Sequence, residues 1–159
     1  MSEARPCGVY RTGRALRAGE MEIPAGSLVY FHNHSVQGPP IVLLPDANTN
    51  NRWSYTSGGW LVEDPAFIEA MVSLKGEGFY ALNRRLQVGK DEFVAERSLV
   101  QLGYNRSADT ILFVAKPEGN GFNVPDRGLR FDAPDVQEIL EPVNFTIPAA
   151  AGAEQRTLH

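Results

Sequence analysis

Hydrophobic and polar residues alternate along this chain in short runs that are typical of β-strands. Residues 28–31 and 99–102 show the pattern most clearly. Side chains two apart on a strand share one face, so the core-facing residues are expected to be Val29, Phe31, Val100, Leu102 and Tyr104. The pattern therefore predicts a mainly β fold.

Only two short stretches, 65–71 and 134–140, have the spacing of a helix. Each begins at a proline, which is favoured at the first helical position because an N–H there would have no partner within the helix. Phe67 and Met71 lie four residues apart, as do Val136 and Leu140. Each predicted helix therefore has one apolar face.

The chain repeats itself at an offset of about 70 residues, beginning with residues 8–10 and 78–80. Several later residues recur at nearly the same offset: Arg14 and Arg84, Gly19 and Gly89, Ser27 and Ser98, Trp53 and Phe122, Gly59 and Gly128, Pro65 and Pro134. The repeat predicts two units, 8–74 and 78–143, followed by a last strand at 143–147 within a C-terminal segment, 144–159, whose end is frayed. The linker 75–77 is short, so we expect the two units to pack together.

Each unit of about 65 residues contains the same order of elements: strand, long loop, strands, a short helix and a final strand. This order and size resemble the small SH3-like β-barrel. The resemblance implies two tandem, internally duplicated SH3-like barrels, each with one short helix. It is a resemblance of architecture, and no sequence motif carries it.

Residues that recur in both copies of the repeat also predict local structure. Gly19 and Gly89 stand in polar loops and are expected to have positive φ. The turn residues before Gly59 and Gly128 predict a hairpin between short strands. The position of Trp53 is apolar in both copies, which favours a place for its side chain in the core or at the contact between the units.

Composition limits the classes of protein to consider. The chain has 159 residues, 15 basic and 19 acidic, for a net charge of −4, which disfavours nucleic acid as a partner. Its single cysteine, Cys7, excludes an intrachain disulfide and favours a reducing cytoplasm. The chain has no apolar run long enough to span a membrane. It also has no phosphate-binding loop, nucleophile elbow or Cys-x-x-Cys pair, so a non-enzymatic role is favoured.

A metal site is the main alternative. His32 and His34 are two residues apart on a predicted strand, so both side chains could bind one divalent transition metal, as in a cupin-like protein or metal-dependent enzyme. A cupin would supply a glutamate shortly afterwards and another histidine from a later strand, and this sequence supplies neither. Two ligands are one fewer than the smallest catalytic metal site.

The leading hypothesis is a non-enzymatic scaffold or regulatory protein that binds another protein and needs no cofactor. Segments 32–37 and 46–52 differ most from their counterparts in the second unit, so they are the predicted surface. Its residues are His32, His34, Gln37, Asp46, Asn48, Asn50 and Arg52. A tandem barrel on RNA or DNA, using loop arginines such as Arg14 and Arg84, is a second alternative. Pairing of an exposed strand edge would give a homodimer.

Overall fold

The computed structural model of this protein describes residues 5–132 and 134–143. It confirms the mainly β fold: short antiparallel strands make up most of the regular structure of these residues. The predicted last strand at 143–147 and the frayed segment 144–159 fall outside the described residues, apart from Val143.

The first half of the chain, residues 8–74, contains an antiparallel sheet of five strands and two separate hairpins. Its strands are β1 (Gly8–Arg11), β2 (Leu16–Ala18), β3 (Met21–Ile23), β4 (Leu28–His32), β5 (Ile41–Leu43), β6 (Pro45–Thr49), β7 (Arg52–Tyr55), β8 (Trp60–Leu61) and β9 (Val72–Ser73). The sheet order is β8-β5-β4-β1-β9, and the hairpins are β2-β3 and β6-β7.

The second half, residues 78–143, contains strands of the same arrangement. They are β10 (Gly78–Leu82), β11 (Leu86–Gln87), β12 (Phe93–Val94), β13 (Leu99–Tyr104), β14 (Thr110–Val114), β15 (Lys116–Glu118), β16 (Gly121–Asn123), β17 (Leu129–Phe131) and β18 (Leu140–Pro142). The sheet order is β17-β14-β13-β10-β18, with hairpins β11-β12 and β15-β16. Adding nine to each strand label of the first half reproduces the pairing of the second.

Both sheets are open among the described residues, and no closed barrel is detected. The first sheet has β8 and β9 as its edges, and the second has β17 and β18. The edge strands are only two or three residues long, which limits the unpaired backbone that each offers to a neighbouring chain.

The two short helices differ in type. The first, α1 (Pro65–Ala70), is an α-helix whose preceding residue, Asp64, accepts a hydrogen bond at 3.0 Å from the backbone N–H of Ala66. The second, Pro134–Ile139, is a 3₁₀ helix, so a short helix forms where one is predicted, but Leu140 belongs to β18 and does not share a helical face with Val136. The sequence has alanine at 133, where the first half has Asp64, and an alanine side chain has no oxygen to cap a helix.

A hydrophobic core lies within the first half. It contains the predicted residues Val29 and Phe31 together with Val42, Phe67 and Met71, all at most 2% exposed. These side chains come from β4, β5, α1 and the residue directly after α1, so the helix covers one face of the sheet. The predicted apolar face of this helix is confirmed.

The second core is built by both halves of the chain. Val100, Leu102 and Tyr104 contribute from β13, as predicted. Leu28, which is fully buried, and Leu74 join them from the first half, and Trp53 packs against the cluster. The backbone N–H of Leu28 also donates to the carbonyl of Arg106 at 2.9 Å. The two halves therefore share apolar side chains and main-chain hydrogen bonds.

Gly59 and Gly128 have a packing role in place of the predicted hairpins. Strands β7 and β8 do not pair with each other, nor do β16 and β17, so the hairpin predicted before each glycine is wrong. A Cβ at Gly59 would lie 2.8 Å from a Leu43 methyl group, and one at Gly128 would lie 2.5 Å from a methyl group of Ile111. Only glycine lets the chain pass this close to β5 and β14.

The loop glycines follow the prediction in only one half. Gly19 has a φ of 65°, as expected. Gly89 is not among the residues with positive φ. The tight turn is therefore reached differently in the two halves, although the sequence has glycine at both positions.

Candidate binding groove

The tip of the β6-β7 hairpin forms one wall of a groove. Its two turn residues, Asn50 and Asn51, have φ values of 52° and 65°, in the left-handed region. Asparagine adopts this region more readily than other residues that have a side chain, and two such residues make the tight turn whose twist suits a hairpin. The Asn50-Asn51 pair thus places a compact polar tip beside the second half of the chain.

Gln101 fastens this tip to β13. The Asn51 side-chain N–H donates to Gln101 Oε1 at 2.9 Å, and the Gln101 side-chain N–H donates to the carbonyl of Asn50 at 3.0 Å. Gln101 is only 7% exposed, so these bonds form with little competition from water. The wall is therefore held in a fixed position relative to the second sheet.

The groove has a volume of about 640 Å³ and is lined from both halves. Most of its polar lining is uncharged amide, and it carries one positive and one negative side chain, Arg52 and Asp126. The lining residues are Asn48, Thr49, Asn50, Asn51, Arg52, Phe79, Gln101, Val124, Pro125 and Asp126. Such a lining can donate and accept hydrogen bonds along an extended polar ligand.

Glu77, in the linker, is hydrogen-bonded to the hairpin. Its Oε2 accepts a hydrogen bond at 3.0 Å from the backbone N–H of Trp53. Burial raises the pKa of the Glu77 carboxyl, and this effect outweighs the lowering by the Trp53 N–H and by Arg52. Burial also raises the pKa of the nearby Tyr55 hydroxyl, to which the Glu77 charge adds. Glu77 is thus a carboxyl group whose ionisation is opposed by its surroundings.

Replacing Glu77 with glutamine is expected to change how stability depends on pH. The folded wild type keeps the Glu77 proton to a higher pH than the unfolded chain, so its free energy of unfolding falls as pH rises from the ordinary value of 4.5 through the raised pKa. Glutamine has no charge and still offers an oxygen to Trp53. The free energy of unfolding of the wild type minus that of Glu77→Gln should become more negative across this pH window and then level off. Urea unfolding over a pH series measures it, and a constant difference would contradict the expectation.

The linker is held by a buried hydrogen-bond network. Gln137 Oε1 accepts from the backbone N–H of Lys75 at 2.8 Å, and its amide group donates to Thr110 Oγ1 at 2.9 Å and to the Tyr104 hydroxyl at 3.1 Å. The Tyr104 hydroxyl in turn donates to the carbonyl of Lys75. Both backbone groups of Lys75 are therefore bound by side chains of the second half.

His32 is the last residue of β4 and His34 lies in the loop that follows, so the prediction that both histidines stand on one strand is wrong, and neither lines the groove. The ring centroids of Tyr30 and His32 are 4.8 Å apart, and those of His32 and His34 are 6.4 Å apart. His34 Nδ1 is 2.7 Å from Asn33 Oδ1. Within 5–132 and 134–143, no group of three or more histidines, cysteines or carboxylates is placed to hold a metal ion.

The other residues of the predicted surface divide between the groove and the exterior. Asn48, Asn50 and Arg52 line the groove. Asp46 is exposed, and its backbone carbonyl accepts from Arg106 at 3.3 Å. Gln37 is also exposed and does not line the groove.

Sequence reasoning missed the second wall of the groove. Gln101, Val124, Pro125 and Asp126 come from the second half, and none of them was predicted as a binding residue. One signal was available: Gln101 is a polar residue at an outward position of a strand, where the first half has Tyr30.

Comparison with protein-family models, curated proteins and solved structures finds no match to this chain. Among the described residues, no helix has the length and apolar character needed to cross a membrane.

Proposed function

We propose that the chain consists of two duplicated SH3-like units. The shared strand order supports this, and so do repeated contacts. The Tyr10 hydroxyl donates to the carbonyl of Pro6 at 2.7 Å, and the Tyr80 hydroxyl donates to that of Gly76 at 2.6 Å. Each pair lies at an offset of 70 residues, so the same side chain fixes the same backbone position twice.

A second set of contacts supports the same proposal. Gly26 and Arg97 occupy corresponding turns and have φ values of 80° and 71°. Their backbone N–H groups donate to the carbonyls of Thr12 and Leu82, which are also corresponding residues. A left-handed arginine is uncommon, so this agreement in backbone conformation favours a common origin over chance.

We propose further that the protein is a non-enzymatic scaffold that binds an extended segment of another protein in the groove. The observation that carries this proposal is the wall of side-chain amides fixed beside Val124 and Pro125. Amides both donate and accept, as a peptide backbone does, and the two apolar side chains offer a surface for those of the ligand. Arg52 and Asp126 would favour a segment carrying both charges.

The composition of the groove supports binding rather than covalent chemistry. Its lining, drawn from the described residues, includes no histidine, cysteine or serine. Among these lining residues the one hydroxyl is that of Thr49 and the one carboxylate is that of Asp126, with no histidine to carry a proton between them. Cys7 lies exposed elsewhere and fits the reducing cytoplasm that we propose as the location.

A peptide-display selection on the purified protein tests this proposal. The test variant combines Asn48→Ala, Asn50→Gly and Arg52→Ala, with glycine at 50 because the φ there is 52°. Selected peptides should bind this variant at least about tenfold more weakly than the wild type, a loss of about 1.4 kcal/mol. Isothermal titration calorimetry measures the affinities.

The matched control lies on the corresponding hairpin of the second half. Lys116→Ala with Glu118→Ala changes exposed residues of β15 that do not line the groove. This control should bind like the wild type, and thermal melts should show all three proteins folded. Equal affinity of the groove variant and the wild type for every selected peptide would reject the groove as the binding site.

A further inference from the structure

One part of the contact between the two halves is made by a hairpin of the first half and the end of a strand of the second. Trp53, on β7, donates its indole N–H to the carbonyl of Tyr104 at 2.7 Å. The guanidinium of Arg106 lies 4.8 Å from the centre of the Trp53 ring and donates to the carbonyl of Pro45 at 2.8 Å. The β6-β7 hairpin is thus seated on the end of β13 and on the loop that follows it.

The corresponding hairpin of the second half is uncovered. All six residues of β15 and β16, which we call the donor hairpin, are exposed. Phe122 pairs with Pro117 as Trp53 pairs with Asn48, so the two rings occupy corresponding positions. Phe122 is 46% exposed, although its ring makes an edge contact with that of Phe79, the two centroids being 5.7 Å apart.

The surface that receives Trp53 also has a counterpart, in the first half. Residues 33–36, which we call the acceptor loop, correspond to 104–107. Asn33 donates to the carbonyl of Arg5 at 3.1 Å, as Tyr104 donates to the carbonyl of the corresponding Lys75. Val36, in the same loop, is the most exposed large hydrophobic residue of the described chain.

We propose that the donor hairpin of one chain binds the acceptor loop of a second copy, in a head-to-tail contact that repeats the contact between the two halves. The proposal rests on the duplication proposed above. A second copy is the favoured partner of the acceptor loop because, within one chain, the hairpin of the first unit already binds the strand end of the second unit. Such a contact uses two different surfaces, so it produces open rows or closed rings of chains.

Sedimentation of the purified protein without any ligand tests the proposal. The average molar mass of the wild type should rise at least twofold as the protein concentration increases from about 1 μM to about 1 mM, the range in which transient interfaces form. Phe122→Asp should remove the donor and Val36→Asp the acceptor, so each variant alone should remain monomeric. An equimolar mixture should form dimers and nothing larger, because one intact donor and one intact acceptor remain per pair.

The control is Met21→Asp, which places the same charge at an exposed apolar residue of β3 and should associate like the wild type. A wild type that stays monomeric throughout, or a mixture of the two variants that forms no dimer, would overturn the proposal. Association lost with Phe122→Asp but kept with Val36→Asp would also overturn it, in favour of a symmetric hairpin contact. None of these results depends on peptide binding, so the groove proposal stands or fails separately.

Discussion

Replacing Gln137 with leucine is expected to lower the free energy of unfolding by about 2–4 kcal/mol. Gln137 is 6% exposed and bonds the Lys75 N–H, the Thr110 hydroxyl and the Tyr104 hydroxyl. Leucine fills a similar volume but leaves these polar groups without their partner in a buried place. The cost of leaving them unpaired exceeds the gain from burying a more apolar side chain. Equilibrium unfolding in urea measures the change.

Two variants check that the network causes this loss. Thr110→Val removes one acceptor and should cost about 1 kcal/mol, and in the double variant the two losses should not add. Glu138→Leu changes an exposed neighbour on the same helix and should stay within about 0.5 kcal/mol of the wild type. Additive losses for Thr110→Val and Gln137→Leu would argue against a shared network.

Replacing Trp53 with alanine is expected to cost about 3 kcal/mol. The ring packs against the core of the second half and under Arg106, and its N–H bonds the carbonyl of Tyr104. Alanine removes the apolar contact and leaves that carbonyl without its donor. The remaining tryptophan, Trp60, packs against the core of the first half and serves as the fluorescence probe of unfolding.

Two further variants separate packing from hydrogen bonding. Trp53→Phe keeps an aromatic ring without the N–H and should cost about 1 kcal/mol. Phe122→Ala, at the corresponding exposed position, should cost less than about 0.5 kcal/mol in dilute solution. If Trp53→Ala and Phe122→Ala destabilised the protein equally, the contact between the halves would contribute little to stability.

The interiors of the strands were predictable because alternation reports directly which side chains face a core. Val29 and Phe31 lie where this rule puts them. Leu28 does not follow it: it points away from the first core, yet it is fully buried in the second. Alternation describes a single sheet, so it gives no sign that another unit covers the outer face of a strand.

Turn residues were a weaker guide to connections. Ser57-Gly58 and the residues before Gly128 have typical turn composition, and they predicted hairpins that do not form. The glycines at 59 and 128 are required by close packing against β5 and β14, which is a contact distant in sequence. The Asn50-Asn51 turn, by contrast, is local, and its asparagines suit the left-handed backbone observed there.

The candidate groove was half predictable for the same reason. Asn48, Asn50 and Arg52 stood out because their segment differs from its counterpart in the repeat. Gln101 and Asp126 complete the groove only because the halves pack in one particular way. A comparison of the two repeats shows where their sequences differ. To predict a groove lined by both repeats, one must also know how the two pack against each other.

The shared second core has a consequence for synthesis of the chain on the ribosome. The first half is made first, and Leu28 and Trp53 belong to it, but both pack in a core that the second half largely supplies, and their hydrogen-bond partners are Arg106 and Tyr104. Until those residues leave the ribosomal tunnel, the nascent first half has an uncovered apolar surface. The linker also lacks the hydrogen bonds that Gln137 and Tyr104 make with Lys75. The interval between the two halves is then when this protein most needs a chaperone.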